Sequence, residues 1–167
     1  MGAKFSSAVN VLVQEKSVSS VEIGVFFSLF YVAISFSQVI TGPLTDIFGR
    51  NRYMIIGLLV TIAGIIIAPV LSMPLVLLAL TVASLGMGTF HLASMGFLNE
   101  IVPDYLKGTI SGAYYFFWGI GMFFGPPIIA KISICTSFKV SMTGYSLFIL
   151  LVAIGLMISS RYKAEIK

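Results

Sequence analysis

The chain has 167 residues, of which 58% are hydrophobic and only 10% charged. Ordinary soluble domains carry roughly a quarter charged residues, so a water-soluble globule is excluded. The net charge of +4 comes from bases scattered over short connecting segments; this fits membrane topology and argues against a nucleic-acid partner. The single Cys135 excludes an intramolecular disulfide, and no Cys/His spacing suggests a metal site.

The placement of the charges organises the chain. Glu22 to Asp46 encloses 23 uncharged residues, Arg52 to Glu100 encloses 47, Lys107 to Lys131 encloses 23, and Lys139 to Arg161 encloses 21. A helix that crosses a bilayer needs about 20 apolar residues. The shorter intervals therefore hold one span each and the long one holds two, divided at Ser72-Met73-Pro74, where proline ends one helix and starts the next. These segments are apolar all round, unlike the one-sided helices of a soluble core. The expected spans are 22–43, 53–72, 74–98, 108–131 and 140–160. The fold class is all-α, a polytopic membrane helix bundle of about five transmembrane helices.

Residues 1–21 precede the bundle at 22–160, and residues 161–167 follow it as a tail. Within the first segment, residues 1–14 carry Phe5, Val9, Leu12 and Val13 but are too short to cross. They read as the stump of an earlier span or as an interfacial helix. The first span is too long for a signal peptide and ends in no A-x-A-like cleavage site. Met1-Gly2-Ala3-Lys4-Phe5-Ser6 fits the myristoylation pattern, although the topology places this end outside the cytoplasm. With five spans, Arg50, Arg52, Lys107, Arg161, Lys163 and Lys167 share one side, against Lys4, Lys16, Lys131 and Lys139 on the other. The bias points the C-terminus into the cytoplasm, as in a multi-pass protein of the cell membrane.

The turn after the first span reads Gly42-Pro43-Leu44-Thr45-Asp46-Ile47-Phe48-Gly49-Arg50-Asn51-Arg52. Gly42 and Gly49 permit close approach and a tight reversal, while an acid and two bases sit at the membrane edge. Asp46 is placed to cap the next helix or to pair with Arg50 or Arg52. The segment resembles the signature loop of the major facilitator superfamily, G-x-L-x-D-[RK]-x-G-[RK]-[RK]. Gly42, Leu44, Asp46, Gly49 and Arg50 match by type and spacing. Ile47 replaces the usual base, and Asn51 interrupts the closing basic pair that Arg52 partly restores. The resemblance implies a latch between two halves on the cytoplasmic side, with the carboxylate meeting a helix N-terminus of the other half.

A second match lies in the fourth span. Gly112, Gly121, Gly125 and Pro126 follow the pattern G-x8-G-x3-G-P-x2-G-G, with Ile129-Ala130 in place of the last two glycines. Gly121 and Gly125 lie four apart, so they share a face and admit a close helix partner. Pro126 and Pro127 lack amide hydrogens, so a bend is expected there. In the family this pattern resembles that of proton-linked antiporters. The fourth-helix pattern R-x-x-Q-G of proton-coupled members is absent: Val82 and Leu85 stand at its arginine and glutamine when it is anchored on Gly86. That absence, and an ending at Lys167 shortly after the last span, fit a C-terminal half; the Gly-Pro match argues for the other half. Both remain open, and either implies that the first of six helices is missing.

His91 is the one strongly ionisable side chain inside a span, about 24 Å along a helix starting near Leu75. It forms a polar stripe with Ser84, Gly88 and Ser94. Two readings stand: a coupling group facing a cavity, or a neutral imidazole hydrogen-bonded between helices. Gln38 and Asn99 carry the same ambiguity. The run Tyr114-Tyr115-Phe116-Phe117-Trp118 points to several faces, mostly as lipid-facing filler, with one or two rings free to line a cavity.

No nucleophile-base pair, P-loop or metal cluster is present, so neither an enzyme nor a cofactor is expected. The expectation is secondary transport of a small-molecule substrate by alternating access, with proton-coupled antiport or efflux as one form. Its partners are the lipid bilayer and a second half, supplied separately or by a homodimer. The alternative is a truncated, non-transporting fragment or an interaction partner of a full transporter.

Overall fold

A computed structural model describes residues 19–72 and 75–165. Among them are five long helices and no strand: α1 (Ser20–Phe48), α2 (Arg50–Ile67), α3 (Leu75–Ile101), α4 (Lys107–Cys135) and α5 (Phe138–Glu165). All five are long and apolar enough to cross a membrane. The five-span expectation holds, and every helix but α2 outruns its apolar window. Residues 1–18, which hold the expected stump and the myristoylation pattern, lie outside the described residues, as do Met73, Pro74, Ile166 and Lys167.

Helix α1 begins at a capping box that the span estimate overlooked. The Ser19 hydroxyl accepts from the Glu22 amide at 3.3 Å, and the Glu22 carboxylate accepts from the Ser19 amide at 2.7 Å. The Ser-x-x-Glu spacing was the available signal. The Ser19 amide, helped by its hydroxyl, holds the Glu22 carboxyl below its ordinary value.

The ends of the helices correct the sequence estimate. Helix α1 continues through Pro43 to Phe48. The missing proline amide costs one hydrogen bond, to the Val39 carbonyl, and the ladder resumes beyond it. The loop expected over 44–52 shrinks to Gly49, at φ 91°, whose amide donates to the Thr45 carbonyl at 3.0 Å. A left-handed backbone there suits glycine alone. Gly42, expected to help the reversal, instead lies inside α1, where an added Cβ would meet only Leu92 at 3.8 Å. Helix α2 stops at Ile67, short of the expected 72, because Pro69 breaks the ladder into a 3-10 turn at Ala68–Val70. Helix α4 stays continuous through Pro126 and Pro127.

Helix α3 packs against both α1 and α2, and α2 also meets α5. Glycines bring the backbones together. A Cβ added at Gly57 would lie 2.6 Å from the Phe90 nitrogen, and one at Gly64 would lie 2.5 Å from the Ala79 oxygen. From the other side, a Cβ at Gly86 would lie 2.5 Å from the Gly57 oxygen. Backbone approach of this kind is how membrane helices associate where no hydrophobic effect drives them together. Hydroxyls reinforce the contact: Thr61 donates to the Ala83 carbonyl at 3.2 Å, and Thr41 and Thr89 share a bond of 3.2 Å between α1 and α3. Leu58, Ile65, Ala83, Ile149 and Ala153 close the core where α2, α3 and α5 meet.

Helix α4 is attached more thinly. Its described buried residues are Ala130 and Ser133, near its far end, where Ser141 of α5 donates to the Ile129 carbonyl at 3.2 Å. Much of its remaining surface, including Phe116 and Phe117, is exposed.

Candidate functional site

The signature residues assemble a charge cluster at one end of the bundle. The Arg50 guanidinium donates through Nη2 to Asp46 Oδ1 at 3.0 Å and through Nε to Glu100 Oε1 at 2.7 Å. This settles the local options for Asp46: it pairs with Arg50 and caps no helix, since the α2 N-cap is Gly49, without a side-chain bond. Arg52 is exposed and has no acidic partner among the described residues. Leu44 is half-buried beside the cluster in sequence. The cluster also brings the α1–α2 turn to the end of α3, so Gly49 and Ile101 lie on the same side of the bundle.

Helix dipoles show why these charges need one another. Asp46 and Glu100 lie in the last turns of α1 and α3, where a carboxylate is disfavoured. Arg50 opens α2, where a cation is disfavoured. Mutual pairing offsets the three misplacements. A carboxylate held this way also gains if a helix N-terminus is offered to it from elsewhere. Sequence reasoning missed Glu100, treating it only as the charge that closes the long apolar interval. The pairing spans 50 positions of sequence, which no local spacing rule reaches.

A second cluster surrounds His91 between α3 and α4. The imidazole meets the rings of Tyr114, Tyr115 and Trp118, with centroids at 5.3, 5.8 and 4.5 Å. His91 Nδ1 lies 3.4 Å from the Tyr114 hydroxyl, which bonds the Ser94 hydroxyl at 2.8 Å. The aromatic run therefore divides. Tyr114 and Trp118, one turn apart, face α3, while Tyr115, Phe116 and Phe117 are exposed. An apolar groove of about 360 Å³ adjoins them, lined by Phe90, Leu98, Tyr114 and Trp118 among others. The stripe expected along α3 also divides: Ser84 donates to the Leu80 carbonyl, and an added Cβ at Gly88 would run into Ser37 of α1. Only His91 and Ser94 reach α4.

The remaining candidates are scattered. Gln38 is half-buried and has no side-chain hydrogen bond among the described residues. Asn99 accepts a long bond from Ser111 at 3.5 Å. Among the described residues, Gly112, Gly121 and Gly125 meet no other helix; a Cβ at any of them would find nothing within 4 Å. Pro126 is exposed. Among the described residues the close packing is at Gly57, Gly64, Gly86 and Gly88, because α2 and α3 are flanked by described helices and most of α4 is not. The seven-residue interval from Gly57 to Gly64, two helical turns, was the signal available.

A sequence model of the Major Facilitator Superfamily matches residues 1–165. The chain belongs to that superfamily. It is 26% identical over 110 residues to a low-affinity glucose transporter of Saccharomyces cerevisiae, covering 65% of this chain and 19% of that protein. It is 27% identical over 126 residues to a high-affinity hexose transporter of the same organism, covering 74% and 21%. A hexose transporter of Kluyveromyces lactis is 26% identical over 110 residues, covering 65% and 19%. The chain thus spans about a fifth of the length of these curated relatives. Major facilitator proteins are transporters rather than enzymes, and the five apolar helices make this chain a multi-pass membrane protein in contact with the bilayer.

Proposed function

We propose that the chain supplies five helices of one half of a secondary transporter, which moves a small polar solute of the hexose class by rocking against a second half. The observation that carries this reading is the Asp46–Arg50–Glu100 cluster, whose charges stand at unfavourable helix ends and gain from exchange with a second half. The hexose class rests on the names of the relatives. Residues 22–160 form the bundle, 1–21 lead into it, and 161–167 form a cytoplasmic tail of a cell-membrane protein. Gly42, Leu44, Asp46, Gly49, Arg50 and Arg52 act in gating, and Gly112, Gly121, Gly125 and Pro126 meet the second half. His91 serves as an interhelical hydrogen-bonding group, and Val82 at the arginine position of R-x-x-Q-G argues against proton-coupled antiport.

The test uses the full-length protein in cells that lack hexose uptake of their own. Labelled hexose should enter, and Asp46→Asn should slow entry several-fold while surface expression stays unchanged. No uptake by the wild type would remove the hexose class; wild-type uptake by the variant would remove the latch.

Orientation has its own test. Cysteines placed at Arg50 and Lys163 should be protected from an impermeant maleimide in intact cells, whereas Cys135 should react. Reaction of positions 50 and 135 from the same side would refute the five-span arrangement.

A further inference from the structure

Arg50 reaches both carboxylates across the surface of α3, and it crosses at Gly96. An added Cβ at Gly96 would collide with Arg50 Nη1, lie 2.6 Å from its Cζ, and lie 3.2 Å from its Cδ. The three guanidinium nitrogens are then accounted for: Nη2 goes to Asp46, Nε to Glu100, and Nη1 lies over the glycine. Gly96 and Glu100 are four residues apart, so both lie on one face of α3. Glycine is a poorer helix former than alanine, so a glycine in the middle of this turn calls for a reason. The glycines at 57, 64 and 86 have theirs in neighbouring backbone. At Gly96 the nearest atoms belong instead to one flexible charged side chain.

We propose that Gly96 is a positioning residue: it is the seat in which the Arg50 guanidinium lies, and the absence of a side chain there is what lets one arginine hold Asp46 of α1 and Glu100 of α3 together. The consequence for transport rests on reading residues 42–52 as the gating loop. The three nearest atoms to a Cβ at position 96 all belong to Arg50, so that flexible side chain, rather than backbone, takes the collision and the bundle keeps its fold. Arg50 is the group that gives way, swinging outward as the exposed Arg52 already does. Both carboxylates then lose their shared partner, and α1, α2 and α3 are no longer tied at this end.

The experiment uses the full-length protein, purified in detergent, with Gly96→Ala, Arg50→Ala and the double variant. Phenylglyoxal modifies free guanidinium groups, and the modified peptides are counted by mass spectrometry with Arg52 as the internal standard. In the wild type Arg50 should react more slowly than Arg52. In Gly96→Ala its rate relative to Arg52 should rise about fivefold, the upper range for releasing a solvent-facing ion pair. An unchanged ratio would overturn the seat, whatever transport does. Transport then separates the two layers. Gly96→Ala should match Arg50→Ala in rate, and the double variant should be no slower than either, since glycine acts only through the arginine. A further loss in the double variant would mean that Gly96 packs for its own sake, and would overturn the positioning role. Release of Arg50 with transport at the wild-type rate would confirm the seat while rejecting the gating role of the loop.

Discussion

Gly64→Leu should abolish recovery of folded protein. A Cβ at position 64 would lie 2.5 Å from the Ala79 oxygen, 2.7 Å from the Ala83 nitrogen and 2.8 Å from the Ala83 Cβ. Two of these atoms are backbone of α3, which cannot turn aside as a side chain can. The remaining carbons of leucine would force α2 and α3 apart along their length. Separation breaks the Thr61 bond to the Ala83 carbonyl and opens the matching contact of Gly57 with Gly86. Overpacking a well-packed core costs about 1–3 kcal/mol, and a backbone collision exceeds that range. Native stability is itself only about 5–15 kcal/mol. Size-exclusion of a fluorescent fusion should show loss of the monodisperse peak. Phe117→Leu, at a position 71% exposed, should leave the peak in place. A wild-type profile for Gly64→Leu would show that α2 and α3 do not pack at this glycine.

The second large effect concerns the chain by itself. Reconstituted alone in liposomes, the 167 residues should give no hexose flux above that of empty vesicles. Among the described residues, most of α4 is without an opposing helix. Gly112, Gly121 and Gly125 have none of the described residues of another helix against them, and Phe123 stands 67% exposed on the same helix. A pathway open alternately to two sides needs a second wall that can rock against the first. The purified chain should instead self-associate, visible as concentration-dependent crosslinking. In the full-length transporter, Gly125→Leu should block flux, because small residues are what allow a close helix crossing. Substrate-dependent flux by the chain alone, lost in Gly125→Leu, would establish a homodimeric transporter and overturn the half-transporter reading.

Spans were legible because the bilayer imposes a simple length rule. Backbone groups in hydrocarbon must bond within the segment, so an uncharged run of about 20 residues becomes a helix whatever its neighbours do. That rule located all five helices, and the loop and Gly-Pro patterns carry the resemblance to the superfamily. Helix ends were less legible. The charges that bounded the runs, Asp46 and Glu100, are themselves helical, because charged residues continue a helix readily once they reach the interface. The first span was expected to end at 43, yet α1 bridges Pro43, and Pro69, inside the expected span 53–72, ends α2.

From its residues alone, this chain was determined to be a membrane bundle of five apolar helices with a charged reversal over 44–52. Tertiary structure decided which glycines are contacts, which rings of the aromatic run meet His91, and which carboxylates share Arg50. The physical reason is the same in each case. Membrane insertion depends on the composition of one segment at a time, and is therefore written locally. Contact depends on the rotation of two helices about their axes. Apolar residues cover every side of these helices, so no hydrophobic stripe marks the buried face. Gly57 and Gly121 look alike in sequence, and only the neighbours of α2 and α4 tell them apart.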